Sequence, residues 1–190
     1  DWVDVLRDLL QSAISTNPTW TRLNRRHSWR GINLPSRIRS NTGGELAVAI
    51  DTSGSVSQFE LNIFAEELQA ICESCNIDKV RVCYCDTTVR KNNEGEWWDV
   101  YDLSLGEDIE LTVRGGGGTE FDPPFNLFND YSDDVQDVCA FIYFTDAYGY
   151  VSKDVEPDVP VVWAITHNGY EYDPEFPFGQ NVYVNVSEFH

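Results

Sequence analysis

Methionine is absent from all 190 residues, position 1 included, so the chain is expected to be a piece of a longer protein. Basic residues are scarce as well: 13 Lys and Arg stand against 32 Asp and Glu, a formal net charge of −19. Such a surface repels phosphate backbones and anionic lipid alike, which argues against a general nucleic-acid or membrane-surface role. There is no apolar run long enough to cross a bilayer, and the opening DWVDVLRDLL lacks the features of a secretory signal. A soluble, cytoplasmic domain is the expectation. Cysteine is odd in number, five in all, and Cys83, Cys85 and Cys139 fall within apolar strand-like runs, which favours reduced thiols over a disulfide framework. A four-thiolate zinc site joining Cys72 and Cys75 to Cys83 and Cys85 is disfavoured. Cys75 would end a helix at the bottom of a sheet and Cys85 a strand at its top, roughly 20 Å apart, against zinc–sulfur bonds of about 2.3 Å. Also missing are H-E-x-x-H, G-x-x-x-x-G-K-[ST] and G-x-S-x-G, which disfavours peptidase, NTPase and serine-hydrolase chemistry.

What is present divides unevenly. Residues 1–44 carry seven Lys or Arg against three Asp or Glu, a balance of +4, whereas residues 45–190 carry six against 29, a balance of −23. A boundary is therefore expected at 41–44, with 1–44 an N-terminal helix and basic arm and 45–190 the main domain. Apolar side chains at Trp2, Val5, Leu9, Leu10 and Ala13 predict an amphipathic helix over 2–14. From Trp20 to Arg39, arginines interleave with Trp20, His27 and Trp29. Arginine with tryptophan suits a nucleic-acid contact, but the expectation is an arm that packs on its own acidic domain, its arginines pairing with carboxylates.

Beyond Gly44 the pattern becomes regular. Strands are expected at 45–51, 79–84, 138–144, 159–166 and 181–186, and a helix at 57–74 opened by a Ser57/Glu60 capping box, with Phe59, Ile63, Phe64, Leu68 and Ile71 as its buried stripe. Asn92-Asn93-Glu94-Gly95 reads as a hairpin turn before a returning strand at 97–103, and Asp122 as the N-cap of a helix entered through Pro123 and Pro124. Buried strands alternating with helices give an α/β domain with a mostly parallel sheet of about six strands, one antiparallel edge strand and helices on both faces.

Three stretches then fall at the carboxyl ends of strands: Asp51-Thr52-Ser53-Gly54-Ser55, Gly117-Gly118-Thr119-Glu120 and Phe144-Thr145-Asp146. In an open α/β sheet these ends share one rim, the rim where ligands bind. Their donors are all oxygen, which selects magnesium, manganese or calcium over zinc or copper. Asp86 lines the same rim, although a strand-end role explains it more simply.

Asp-x-Ser-x-Ser, a distant Gly-Gly-Thr and a later Thr-Asp, 64 residues from Ser55 to Thr119 and 27 more to Asp146, resemble the metal-ion-dependent adhesion site of the von Willebrand factor A (VWA) domain. The resemblance implies a three-layer Rossmann-like fold. It also implies a Mg2+ site, with Mn2+ or Ca2+ as alternatives, in which Ser53, Ser55 and Thr119 coordinate directly or through water and Asp51 and Asp146 hold the ion from the next layer out. Asn24-Arg25-Arg26, Leu34-Pro35, Cys85-Asp86, the four glycines, Trp163 and Pro177-Phe178-Gly179 resemble the bacterial and phage VWA-like domain that follows a metallopeptidase-like region. That family implies a link with MoxR-type AAA+ ATPases. Glu120 stands where it usually has aspartate, and Ala147 where it usually has glycine. The resulting expectation is a non-enzymatic module whose ion captures an Asp or Glu of a protein partner. The alternatives are a metal-dependent phosphoester hydrolase, for which the cluster offers no evident base or nucleophile, and a nucleic-acid contact through the basic arm.

Overall fold

The computed structural model describes residues 2–15, 44–52, 56–114, 116–131, 135, 137–166 and 174–184. The basic arm, Ser53 and Ser55 lie outside them.

Three runs of apolar residues are long enough to be buried on both faces, and each forms a strand of the sheet: β1 (Glu45–Asp51), β5 (Val138–Thr145) and β6 (Val161–Thr166), every residue of them buried. This is the pattern of parallel strands covered by helices. With β2 (Lys79–Cys85), β3 (Val89–Arg90), β4 (Asp99–Asp102) and β7 (Gln180–Val184) they make a seven-stranded sheet, order β3-β2-β1-β5-β6-β7. The pairs β1–β2, β1–β5, β5–β6 and β6–β7 are parallel, and only β3 and β4, both on β2, are antiparallel. The chain leaves β1 for β2 on one side and returns to β5 on the other. That reversal of direction opens a crevice between the carboxyl ends of β1 and β5.

The antiparallel edge differs from expectation in where it turns. The chain reverses at Asp86–Thr88, where Cys85 pairs with Val89, and then runs back along β2 as an interrupted edge, β3 beside Tyr84 and Cys85 and β4 beside Lys79–Val82. Asn92–Gly95 is a loop within that edge. Asn92 closes it locally: its Oδ1 accepts from the N–H groups of Glu94 (3.0 Å) and Glu96 (2.9 Å). These bonds satisfy the backbone without a partner strand, so a turn signal here marks an interruption. Trp97 and Trp98 precede β4 and are both half-buried.

Helices cover both faces. α1 (Trp2–Ser15) and α2 (Gln58–Ser74) pack on one side against Leu46, Val48, Ile50, Ile142 and Phe144. α3 (Asp122–Asp130) packs on the other, where Phe125 meets Phe141 at 4.8 Å and Trp163 at 5.6 Å. Trp163 Nε1 donates to the Phe178 carbonyl at 2.8 Å, which fixes the segment entering β7. In α1 the buried stripe is Trp2, Val3, Leu6, Leu10 and Ala13, while Val5 is exposed. Trp2 stacks on Phe64 of α2 with ring centroids 6.3 Å apart, so this helix shares the core of the sheet's face.

The capping box of α2 forms as read: Ser57 N–H donates to Glu60 Oε2 (2.8 Å) and Glu60 N–H to Ser57 Oγ (3.2 Å). Its stripe is corrected to Leu61, Phe64, Ala65, Leu68, Ile71 and Cys72. At about 100° per residue Phe59 lies half a turn from the centre of that set, and it is 53% exposed. Asp122 is corrected too. Phe121 occupies the cap position without a side-chain bond, and Asp122 Oδ1 instead accepts from Ser152 N–H at 2.7 Å, tying α3 to the loop after β5.

Candidate metal centre

Asp51 ends β1 with its side chain on the α3 face, 1% exposed. Thr145, the last residue of β5, points to the same face and donates its hydroxyl hydrogen to Asp51 Oδ2 at 2.6 Å, while its Oγ1 accepts from Ala147 N–H at 3.0 Å. The bond crosses the crevice between β1 and β5. Sequence reasoning missed Thr145 as a functional side chain. The signal was there in the alternation of a buried strand, since Thr145 must share a face with Tyr143 and thus with Asp51, two positions on from Ala49.

Asp146 follows directly, 7% exposed, and its Oδ1 accepts from Tyr148 N–H at 3.1 Å. Ala147 between them adopts φ of +67°, the left-handed region. Asp51 and Asp146 are thus both placed at the switch point, as their positions in the sequence imply. The N–H and the hydroxyl of Thr52 both donate to the Cys85 carbonyl, at 2.9 and 3.1 Å. Of the hydroxyl run after Asp51, the first ties β1 to β2. Ser53 and Ser55 are outside the described residues.

Thr119 does not directly follow a strand among the described residues, contrary to expectation; it reaches the rim on a loop gripped from two sides. On one side lies the loop after β5, where a Cβ added at Gly149 would stand 3.0 Å from Thr119 Cγ2 and 2.7 Å from Phe121 Cζ, so only glycine allows this approach. Phe121, fully buried, anchors the entry into α3 by packing edge-on to Tyr143 at 5.1 Å. On the other side lies the reversal after β2. Asp86, 2% exposed, accepts from Thr87 N–H (2.7 Å), Thr88 N–H (3.1 Å) and Arg90 Nε (2.9 Å), and pairs also with Arg90 Nη2. Its carbonyl accepts from Glu120 N–H at 3.0 Å. Asp86 therefore does more than end a strand.

The floor of the crevice is negative. Burial pushes the Cys85 thiol up to about 12, opposed by a hydrogen bond with Tyr143 and reinforced by the charges of Asp86, Asp51 and Glu120. The Tyr143 phenol is raised well above its ordinary value, first by burial and then by Cys85 and Asp51. Burial also works to raise Asp86, but the Arg90 hydrogen bonds, the Thr88 and Thr87 N–H groups and the Arg90 charge outweigh it, leaving that carboxyl below the usual range. Neutral thiol and phenol beneath two buried aspartates suit a cation above them. Among the described residues no group of three or more His, Cys, Asp and Glu is placed to hold a metal. The candidate set holds two carboxylates, Asp51 and Asp146, and depends otherwise on hydroxyls.

A mostly parallel sheet covered on both faces, with buried acids and a threonine loop at its switch point, defines the class of an α/β domain with a rim site. Residues 46–185 match the VWA-like domain family DUF2201, and the chain belongs to that family. It is also 30% identical over 156 residues to a protein of Thermotoga maritima that is named only as uncharacterized. That alignment takes in 78% of this chain and 33% of the relative, so the chain spans about a third of that protein's length.

Proposed function

We propose that the domain is a metal-dependent protein-binding module. Ser53, Ser55 and Thr119 would supply hydroxyl donors to Mg2+, with Mn2+ or Ca2+ as substitutes, and Asp51 and Asp146 would act through water. A divalent ion bound by neutral hydroxyls keeps much of its charge and an open position, which a carboxylate from another protein can fill. In this reading the domain binds and does not catalyse. The observation that carries it is the Thr145–Asp51 bond across the crevice, with Asp146 one residue further on and Thr119 delivered beside Gly149. Thr145 holds one oxygen of Asp51, and the negative floor favours a cation.

Two tyrosines on the loop carrying Asp146, Tyr148 and Tyr150, are 56% and 77% exposed and would supply contact surface around the ion. The net charge of −19 adds a requirement. A partner presenting an acid must bring basic residues around it, since like charges across an interface cost affinity and slow encounter. By family resemblance, the longer protein would work with a MoxR-type AAA+ ATPase.

The test is titration of the chain with Mn2+, alongside capture of partners from native lysate with and without EDTA. Thr119→Ala is expected to weaken Mn2+ binding by at least about tenfold, the size of effect usual for groups around a metal, and to abolish EDTA-sensitive capture. A partner retained despite both chelation and Thr119→Ala would end this reading.

A further inference from the structure

We propose that Asp86 is a positioning residue for Thr119: it shapes the reversal after β2 into the bed on which residues 117–120 lie. The inference rests on the metal-binding reading, since it concerns how one hydroxyl donor is held. A buried carboxylate needs its charge compensated, and Asp86 obtains this from the N–H groups of Thr87 and Thr88 and from Arg90, all within the reversal itself. That fixes the turn. The turn then grips the glycine loop on both sides of Thr119. Glu120 N–H donates to the Asp86 carbonyl, and Cys85 Sγ lies 3.5 Å from the Glu120 carbonyl. A Cβ added at Gly118 would stand 3.4 Å from Thr87 Cγ2, and one at Gly117 3.2 Å from Asp86 Oδ2. The bareness of Gly117 is thereby explained by the carboxylate beneath it. A residue that only closed a hairpin would leave that close approach without a reason.

Three variants of the full chain, Asp86→Ala, Gly117→Ala and the double substitution, separate the two accounts. They are read by Mn2+ affinity, by the NMR signal of the Thr119 methyl group without metal, and by urea unfolding. Asp86→Ala and Gly117→Ala are each expected to shift the Thr119 methyl signal and to weaken Mn2+ binding by about 10- to 100-fold, the range for residues that orient metal ligands. The double variant should bind no worse than Asp86→Ala, because removing the carboxylate makes room for the new methyl group. Gly117→Ala deletes no hydrogen bond, so it decides the matter even if Asp86→Ala fails to fold. Unchanged methyl signal and unchanged affinity in folded variants, where Thr119→Ala weakens binding, would overturn the proposal. If the unsubstituted chain takes up no Mn2+, the metal reading falls by itself, and the methyl signal alone then decides whether Asp86 positions Thr119.

Discussion

Ala147 is a buried non-glycine residue at φ +67°, 1% exposed. That backbone costs an L-residue about 1–2 kcal/mol. The conformation turns its N–H onto Thr145 Oγ1, and so orients the hydroxyl that holds Asp51. The glycine that the resemblance implies at this position would answer to the same backbone shape. Ala147→Gly relieves the strain but adds about 0.4–1 kcal/mol of backbone entropy and loses a buried methyl worth about 0.8 kcal/mol. Its unfolding free energy should stay within about 1 kcal/mol of the parent. Ala147→Val, branched at Cβ in the same region, should lower it by more than about 2 kcal/mol in urea; equal stability would show that the turn relaxes. Asp51 and Asp146 were legible as rim residues because acids at the carboxyl ends of buried strands must share one edge, whereas Thr119 directly follows no described strand and comes to the rim on a loop. Thr145 was not legible, since its hydroxyl acts on Asp51, 94 residues away, and Asp86 was read only as a strand end on the rim because its carbonyl meets Glu120 N–H far along the chain.

At the scale of the element, α1 is the sharpest test of how the core is assembled. Leu6 and Leu10 are fully buried against the sheet, whereas Val5 is 48% exposed. Leu10→Ala should destabilise the fold by about 2–5 kcal/mol, and Val5→Ala by no more than about 0.5 kcal/mol. Similar losses for both, read from denaturant midpoints, would contradict this placement of the helix. The errors of sequence reasoning cluster in such faces. Helical spacing alone allows Val5 or Phe59 inside the stripe, and only the position of the sheet chooses between neighbouring arcs. The edge beside β2 was misread likewise: Asn92–Gly95 has the residues of a turn, but reversal had already occurred at Asp86–Thr88, where the buried carboxylate supplies the bonds that a turn residue would.

For the whole molecule, the two faces of the sheet keep the thiols apart. Cys72 and Cys75 pack on the α1–α2 side and Cys83 on the α3 side, and all five cysteines are buried thiols outside any disulfide. Burial raises the thiols of Cys72, Cys83 and Cys85, so thiolate is scarce near neutral pH. Native protein should show almost no reaction with a thiol reagent at pH 8 over minutes, and five groups after unfolding; rapid native labelling would show that the core opens. No described helix is long and apolar enough to cross a membrane. The sequence by itself determined the fold class and the rim, because uninterrupted apolar runs can be satisfied only as strands buried on both faces, and polar residues at their carboxyl ends must then share an edge. Only the tertiary structure decided which face each helix buries, where the edge strand turns and which side chains hold Asp51 and the Thr119 loop. Those choices depend on contacts between segments tens of residues apart, and local spacing carries no record of them.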